Sequence, residues 1–491
     1  MRKIRMKKIL NYIVPMLCIC LASCNDKWEE HFGKDDANTQ KNLFEVVSST
    51  TEYSAFAELL EKSGYAESLK ASKNYTVLIP TNEAINAAKN QYNFNDTSVV
   101  RSFVGYHLIN SIYSVNDNTD TVKALNFRNK YVEFTRGTFD GIQPTAKNLT
   151  ASNGLYHVIG QPLKPLSNIF TLVKTEFENT KQVEAISSFD TAYVENGETF
   201  YKSSPVWMSE VRRNMTTENR KYTYFVIDDA NFEAELNKLT PFFKTNYVEG
   251  NTHRPDSTTT FFTKKFLLRD FIVEGDLLEN QLNSELTSIS GTKFTIPSGS
   301  LISRHKASNG VVYRVHSIDF QLQNQIKEKI VLGVNPIGYK QTDKRGNTYF
   351  RDKRDTLGNL YQDIQIHGHN VTAFYAKYRV TGMNVIRYKV YGRAIMGLPG
   401  DPQTATFTQY VHFLDPNLIA PNEVDLYKRP VVNHLGVNDT RFTFGVQPLN
   451  HGEVYLGEVS QNQYGNLPLL VMSNGTGPII LEYLRFVPII Q

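Results

Sequence analysis

The stretch ASNGLYHVI at 151–159 returns as ASNGVVYRV at 307–315, about one domain length further along the chain. Asn-Gly between two strand-like runs is a strong hairpin signal, because a two-residue type I′ turn needs φ > 0 at both central residues. KNLTAS leads into Asn153-Gly154 and LYHVIG follows; ISRHKAS leads into Asn309-Gly310 and VVYRVHSI follows. Each copy therefore reads as a hairpin. Other pieces recur in the same order: YTVLIPTNEAI at 75–85 against YTYFVIDDANF at 222–232, and SFVGYHLIN at 102–110 against KFLLRDFIVEG at 265–275. Three landmarks in one order imply two related domains.

Local signals in the first copy agree. Leu43, Phe44, Val46 and Val47, then Phe56, Leu59 and Leu60, fall at helical spacing. Gly64 reads as a helix C-cap, and Thr81 caps the next helix with Glu83 in its first turn. LFEVVSSTTEYSAFAELLEKSGYAESL, YTVLIPTNEAI, YHLI and ASNGLYHVI together resemble the fasciclin (FAS1) domain, with all landmarks inside 41–168. That resemblance implies an α+β fold and draws attention to Tyr106 and His107, which occupy the family's proposed adhesion motif. The plainer reading makes them half-buried packing residues of a strand, given the apolar neighbours Val104, Leu108 and Ile109.

The second copy, 169–325, reads as a divergent fasciclin-like domain. Ile227, Asp228 and Asp229 stand opposite Pro80, Thr81 and Asn82; Arg269-Asp270 stand opposite Tyr106-His107; Tyr313 stands opposite His157. A polar run, NYVEGNTHRPDSTTT, has the look of an insertion.

From about residue 330 the texture changes to short alternating strands such as AFYAKYRV, VIRYKVYGRAI, TATFTQYVHF and TRFTFGVQ. Many strands at this spacing predict an all-β sandwich or jelly roll over 330–491. Its ending, TGPIILEYLRFVPI, resembles the last strand of galactose-binding-like jelly rolls, which implies a carbohydrate-binding role. Sugar sites place aromatic faces beside a few polar groups. Tyr339, Tyr349, Phe350 and Tyr361 are the candidates for that role, with packing between strands as the alternative.

The N-terminus sets compartment. MRKIRMKK is a positive leader, ILNYIVPMLCICLA is apolar but short for a span, and LASC closes it. This resembles the lipobox of bacterial lipoproteins, which implies cleavage after residue 23, lipidation of Cys24 and anchoring in the outer membrane. Residues 24–40 read as a solvated tether, and Asp26, Glu29 and Glu30 resemble a signal for export to the outer face. With Cys18 and Cys20 removed and Cys24 acylated, no thiol is left for catalysis or disulfides. The formal charge of +4 leans on Arg2, Lys3, Arg5, Lys7 and Lys8, so the processed chain is near neutral and no nucleic-acid partner is expected.

Two clusters bear on metal. His367 and His369 share one face if IHGHN is a strand, but no third ligand stands beside them. Asp343, Asn347, Asp352, Asp355 and Asn359 lack EF-hand spacing and fit paired turns better. No metal and no cofactor is expected. Nucleophile-elbow, HExxH, P-loop and GxGxxG motifs are absent, while a carboxylate-pair hydrolase stays open because its acids need not be close in sequence. The expectation is a non-catalytic surface lipoprotein that binds an extracellular glycan or docks on a TonB-dependent channel with a SusD-like lid, resembling accessory lipoproteins of Sus-type uptake systems. The alternative is adhesion to cells or matrix through the fasciclin domains; a third reading is a structural subunit of an envelope assembly.

Overall fold

The computed structural model describes residues 40–115, 121–164, 166–195, 198–204, 211–245, 255–340, 346–414 and 441–490. The leader, Cys24 and the tether through residue 39 lie outside them. The chain divides into two compact units, Met1–Leu166 and Ser167–Gln491. Among the described residues, no helix is long and apolar enough to cross a membrane.

In the first unit, Asn42 opens the helix Leu43–Ser49 with a capping box: its side chain accepts from the Glu45 amide while Glu45 reaches back. Helix Ser54–Ser63 ends at Gly64 in the left-handed conformation (φ 78°), as its position predicted. Thr81 caps Asn82–Ala88. These helices bury Leu43, Val46, Val47, Phe56, Leu59 and Leu60 against a four-stranded sheet. The sheet runs Leu108–Ile109, Tyr75–Pro80, Gly154–Ile159, Pro144–Ala151, and its two central strands are parallel, with Tyr75 opposite Gly154. Both central strands are buried along their whole length, which is why they read as continuous apolar runs.

The second unit begins with the same sheet. Its order is Ile272–Glu274, Tyr222–Val226, Gly310–Val315, Leu301–Ala307, again with a parallel central pair, and Tyr222 lies opposite Gly310. The three landmarks therefore repeat as topology. Part of the insertion-like run is the start of the helix Pro255–Asp270, which precedes the edge strand as Thr97–Tyr106 does in the first unit. Residues 246–254 of that run lie outside the described residues.

Beyond it stands an all-β sandwich of two antiparallel sheets. One runs Lys329–Leu332, Tyr483–Pro488, Arg387–Arg393, Val454–Ser460; the other runs Gly338–Tyr339, Tyr375–Met383, Gly465–Ser473, Phe407–Phe413, Arg441–Val446. Their inner faces bury Tyr378, Tyr388, Val390, Val411, Phe413, Leu469, Leu484 and Phe486. A third sheet joins the hairpin Thr348–Arg354 and Leu360–Ile366 to Ile479–Leu481. Thus the final apolar run breaks at Glu482: its first half pairs with the hairpin and its second with the four-stranded sheet. The expected class, α+β fasciclin-like architecture followed by an all-β sandwich, is the fold observed.

Within this unit the fasciclin-like part and the sandwich share a seam. Val385 N–H donates to Phe242 O (2.9 Å) and Tyr464 N–H to Lys244 O (2.7 Å). The Tyr464 ring packs among Phe243, Phe262 and Phe266, with centroids 4.9, 4.7 and 5.6 Å away.

Candidate ligand-binding face

The hairpin 348–366 is pinned by its turn. Asp355 Oδ1 accepts from the Leu357 and Asn359 amides, each at 2.9 Å, and Gly358 supplies the positive φ of 84°. That fixes the register: Arg351 lies opposite Asp363, Asp352 opposite Gln362, Lys353 opposite Tyr361. Strand alternation then sorts the side chains onto two faces.

One face is closed. Arg351 grips Asp363 through Nε (2.7 Å) and Nη2 (2.5 Å), while its Nη1 reaches Gln365 (2.5 Å) and Asp401 (2.9 Å). The Lys353 ammonium also meets Asp401. Asp363 is fully buried; burial pushes its carboxyl up while the Arg351 guanidinium pulls it back. Ile395 and Leu398 close over Tyr361 beside this network.

The other face buries Ile364 and Ile366 in the sandwich core and is open toward the turn. Phe350 (58% exposed) and Leu360 (70% exposed) project from it beside Asp352, whose carboxylate accepts from Gln362 Nε2 at 2.6 Å. Leu332, at the end of the strand Lys329–Leu332 in the four-stranded sheet, is exposed as well. Between lies a cleft of about 470 Å³ lined by Leu332, Val334, Asp352, Leu360, Tyr361, Gln362 and Glu482. Glu482 is held bidentately by Arg393 Nη1 at 2.7 and 2.6 Å. The Tyr361 hydroxyl is buried without a hydrogen-bond partner among the described residues, and burial pushes it up to about 12. Apolar walls with a few oriented polar groups suit a small, hydroxyl-rich, partly apolar ligand.

The four aromatic candidates are not brought together. Tyr339 packs on the sandwich core against Phe374, 6.4 Å between centroids. Tyr349 and Phe350, adjacent in sequence, point to opposite faces; Tyr349 stacks on His367 at 4.9 Å and 16°. Tyr361 is 6% exposed, so it lines the cleft without offering a ring to stack on. Only Phe350 keeps a large exposed ring on the open face. Leu332, Leu360, Gln362 and Glu482 were missed, although the Asp355 turn makes the Asp352–Gln362 pairing readable once strand register is counted.

Tyr106 and His107 are corrected by the structure. They end the helix Thr97–Tyr106 rather than lie in a strand, and both are fully buried. His107 donates from Nδ1 to Phe103 O (2.8 Å) and accepts at Nε2 from Leu163 N–H (2.9 Å), so the neutral ring is fully used in packing. His369 is likewise committed, to Gly477 O (2.9 Å) and Val371 N–H (3.1 Å), and it follows the strand instead of sharing a strand face with His367. Asp343 lies outside the described residues. Among the described residues there is no group of three or more His, Cys, Asp or Glu that could hold a metal ion.

Fold and face together define a multi-domain protein with a fasciclin-type α+β region followed by an all-β sandwich that carries an open cleft. The family model of the Fasciclin domain matches residues 51–165. No curated protein matches the chain. Among solved structures, similarity extends to a FAS1 domain pair from the insect cell adhesion molecule Fasciclin I, 14% identical over 56% of this chain and 99% of that one, with a TM-score of 0.23. A family 35 carbohydrate binding module from Clostridium thermocellum is 16% identical over 33% of this chain and 99% of its own, TM-score 0.19. The CBM22-1 xylan-binding domain from Paenibacillus barcinonensis Xyn10C is 13% identical over 34% of this chain and 96% of its own, TM-score 0.20.

Proposed function

We propose that this chain is a non-catalytic binding lipoprotein, held in an outer membrane by acyl groups on Cys24 and facing outward, whose sandwich binds an extracellular glycan. The observation that carries this reading is the open cleft, where exposed Leu332 and Leu360 flank Asp352, Gln362 and Glu482. Apolar surface suits the C–H faces of a sugar, and the carboxylates and amide suit its hydroxyls. The fasciclin-type region then serves as spacer and as docking surface for a TonB-dependent channel with a SusD-like lid. LASC at 21–24 and its acidic tether motivate the anchor.

The test has two arms. Labelled palmitate should enter the wild-type chain in cells and fail to enter a Cys24→Ala variant, and pull-down from detergent-solubilised outer membranes should recover a channel. A panel of soluble polysaccharides incubated with the purified chain should show binding without release of new reducing ends. Unlabelled wild type removes the anchor, and released reducing ends would overturn the non-catalytic assignment.

A further inference from the structure

We infer that the seam of the second unit contains a binding site for a compact oxyanion, walled by Arg269, Lys327 and Lys329. The cavity there measures about 50 Å³, room for roughly three to five water-sized groups, which is the size of one tetrahedral oxyanion. Asp270 is the one acid among the described residues lining it. Its carboxylate is already engaged: Ser290 Oγ donates to it, Ser288 Oγ lies at 3.5 Å and Gln325 Nε2 donates at 3.4 Å. Asp270, with the carbonyl end of helix Pro255–Asp270, offsets part of the cationic excess. Lys327 donates to Ser290 O. The Lys329 ammonium has no hydrogen bond or ion pair to any described residue, and burial, then the charges of Arg269 and Lys327, pull it below the ordinary lysine range. Lys327 and Lys329 beside one engaged carboxylate leave a charge that a bound anion would neutralise.

Gly382 lines the cavity with a φ of 63°, and a Cβ there would meet the Tyr464 hydroxyl at 3.5 Å and Lys329 Nζ at 3.9 Å, ordinary contact distances, so it is the backbone conformation that favours glycine. Gly382 sits in the bulge between Val380 and Met383, a device that re-aims groups beside sites. Counted back from the edge strands, where Leu108 and Ile272 hold equivalent positions, Arg269 and Asp270 stand where the first unit has Gly105 and the buried Tyr106, and Phe271 stands where it has His107. The second domain thus carries two charged residues where the first has a glycine and a tyrosine.

Calorimetric titration of the full chain with sodium sulfate and sodium phosphate, against sodium chloride at matched ionic strength, reads the site directly; galactose 6-sulfate and glucuronate form the second arm. Saturable binding of inorganic anion identifies a free oxyanion, and binding confined to the second arm identifies one carried on a sugar. Lys329→Met should weaken binding roughly tenfold or more, and Lys329→Arg should retain it. If Lys329→Met loses its circular dichroism, Lys327→Met asks the same question. No saturable binding above chloride in either arm, or undiminished binding to a folded Met variant, overturns the site.

Discussion

Asn153 and Asn309 do more than turn the chain. The turns centre on Ser152-Asn153 and Ser308-Asn309, since Ala151 pairs Gly154 and Ala307 pairs Gly310, and neither Asn has positive φ. The expected type I′ geometry is therefore not used. Asn153 is buried: its Oδ1 accepts from Leu43 N–H (2.8 Å), and its Nδ2 donates to Leu69 O (2.7 Å) and Ala71 O (2.8 Å). Asn309 repeats the device on Ile169 N–H, Met215 O and Thr217 O at 2.8, 3.0 and 2.9 Å. Gly follows in both because a Cβ there would lie 2.1 Å from Tyr75 O or 1.8 Å from Tyr222 O. The repeat was legible in sequence, but its role was not, because the partners lie 110, 84 and 82 residues away. Asn153→Ala should cost the first unit about 3 kcal/mol by orphaning three buried groups, read as faster amide exchange across 154–159. A loss under about 0.5 kcal/mol, as for a plain exposed turn, would contradict the staple. His107 and His157 give a second test at this scale: burial lowers both to about 4, well under the usual histidine value. The unfolded chain then binds more protons between about pH 6.5 and 4, so stability is full above that window and falls as the medium is acidified through it. Each ring contributes up to about 3 kcal/mol. Proton NMR should find neither ring titrating until near pH 4; a midpoint near 6.5 for either would contradict its burial.

At the scale of elements, the hairpin 348–366 separates a covered face from one exposed toward its turn. Sequence marked its aromatics as the functional feature, but alternation hides Tyr361, turns Tyr349 away and leaves Phe350 with aliphatic neighbours. Burial depends on what covers a strand, and here the cover comes from Ile395, Leu398 and Asp401, which no local pattern announces. Arg351 organises that closed face. Replacing it by Leu strands the buried Asp363 without its partner, leaves Asp401 to Lys353 alone, and should cost about 3–5 kcal/mol, seen as a lower urea midpoint of the second unit. Arg351→Lys should restore little, because an ammonium cannot reproduce the two-toothed grip. Wild-type stability in either variant would show the network to be incidental.

For the whole molecule, the order of parts was legible in sequence: repeated landmarks gave two related α+β regions and the change of texture near residue 330 gave the sandwich. What sequence did not reveal is that the second α+β region and the sandwich form one compact unit. Their seam joins Lys244 to Tyr464 and Phe242 to Val385, residues too far apart in sequence for any local pattern to announce the contact. Tyr464→Ala empties a site ringed by Phe243, Phe262 and Phe266 and should cost about 3–5 kcal/mol. Scanning calorimetry should then show the second unit melting earlier, while an unshifted melt would mean the seam contributes nothing. The proposal of glycan binding rests on the cleft of this same unit, and Leu360, being exposed, can be changed there without disturbing the core. Affinity electrophoresis of the full chain through gels containing a broad set of polysaccharides tests it most directly. At least one glycan should retard the wild type and leave Leu360→Asp running as in a gel without glycan; retardation by none, or equal retardation of both proteins, contradicts the assignment.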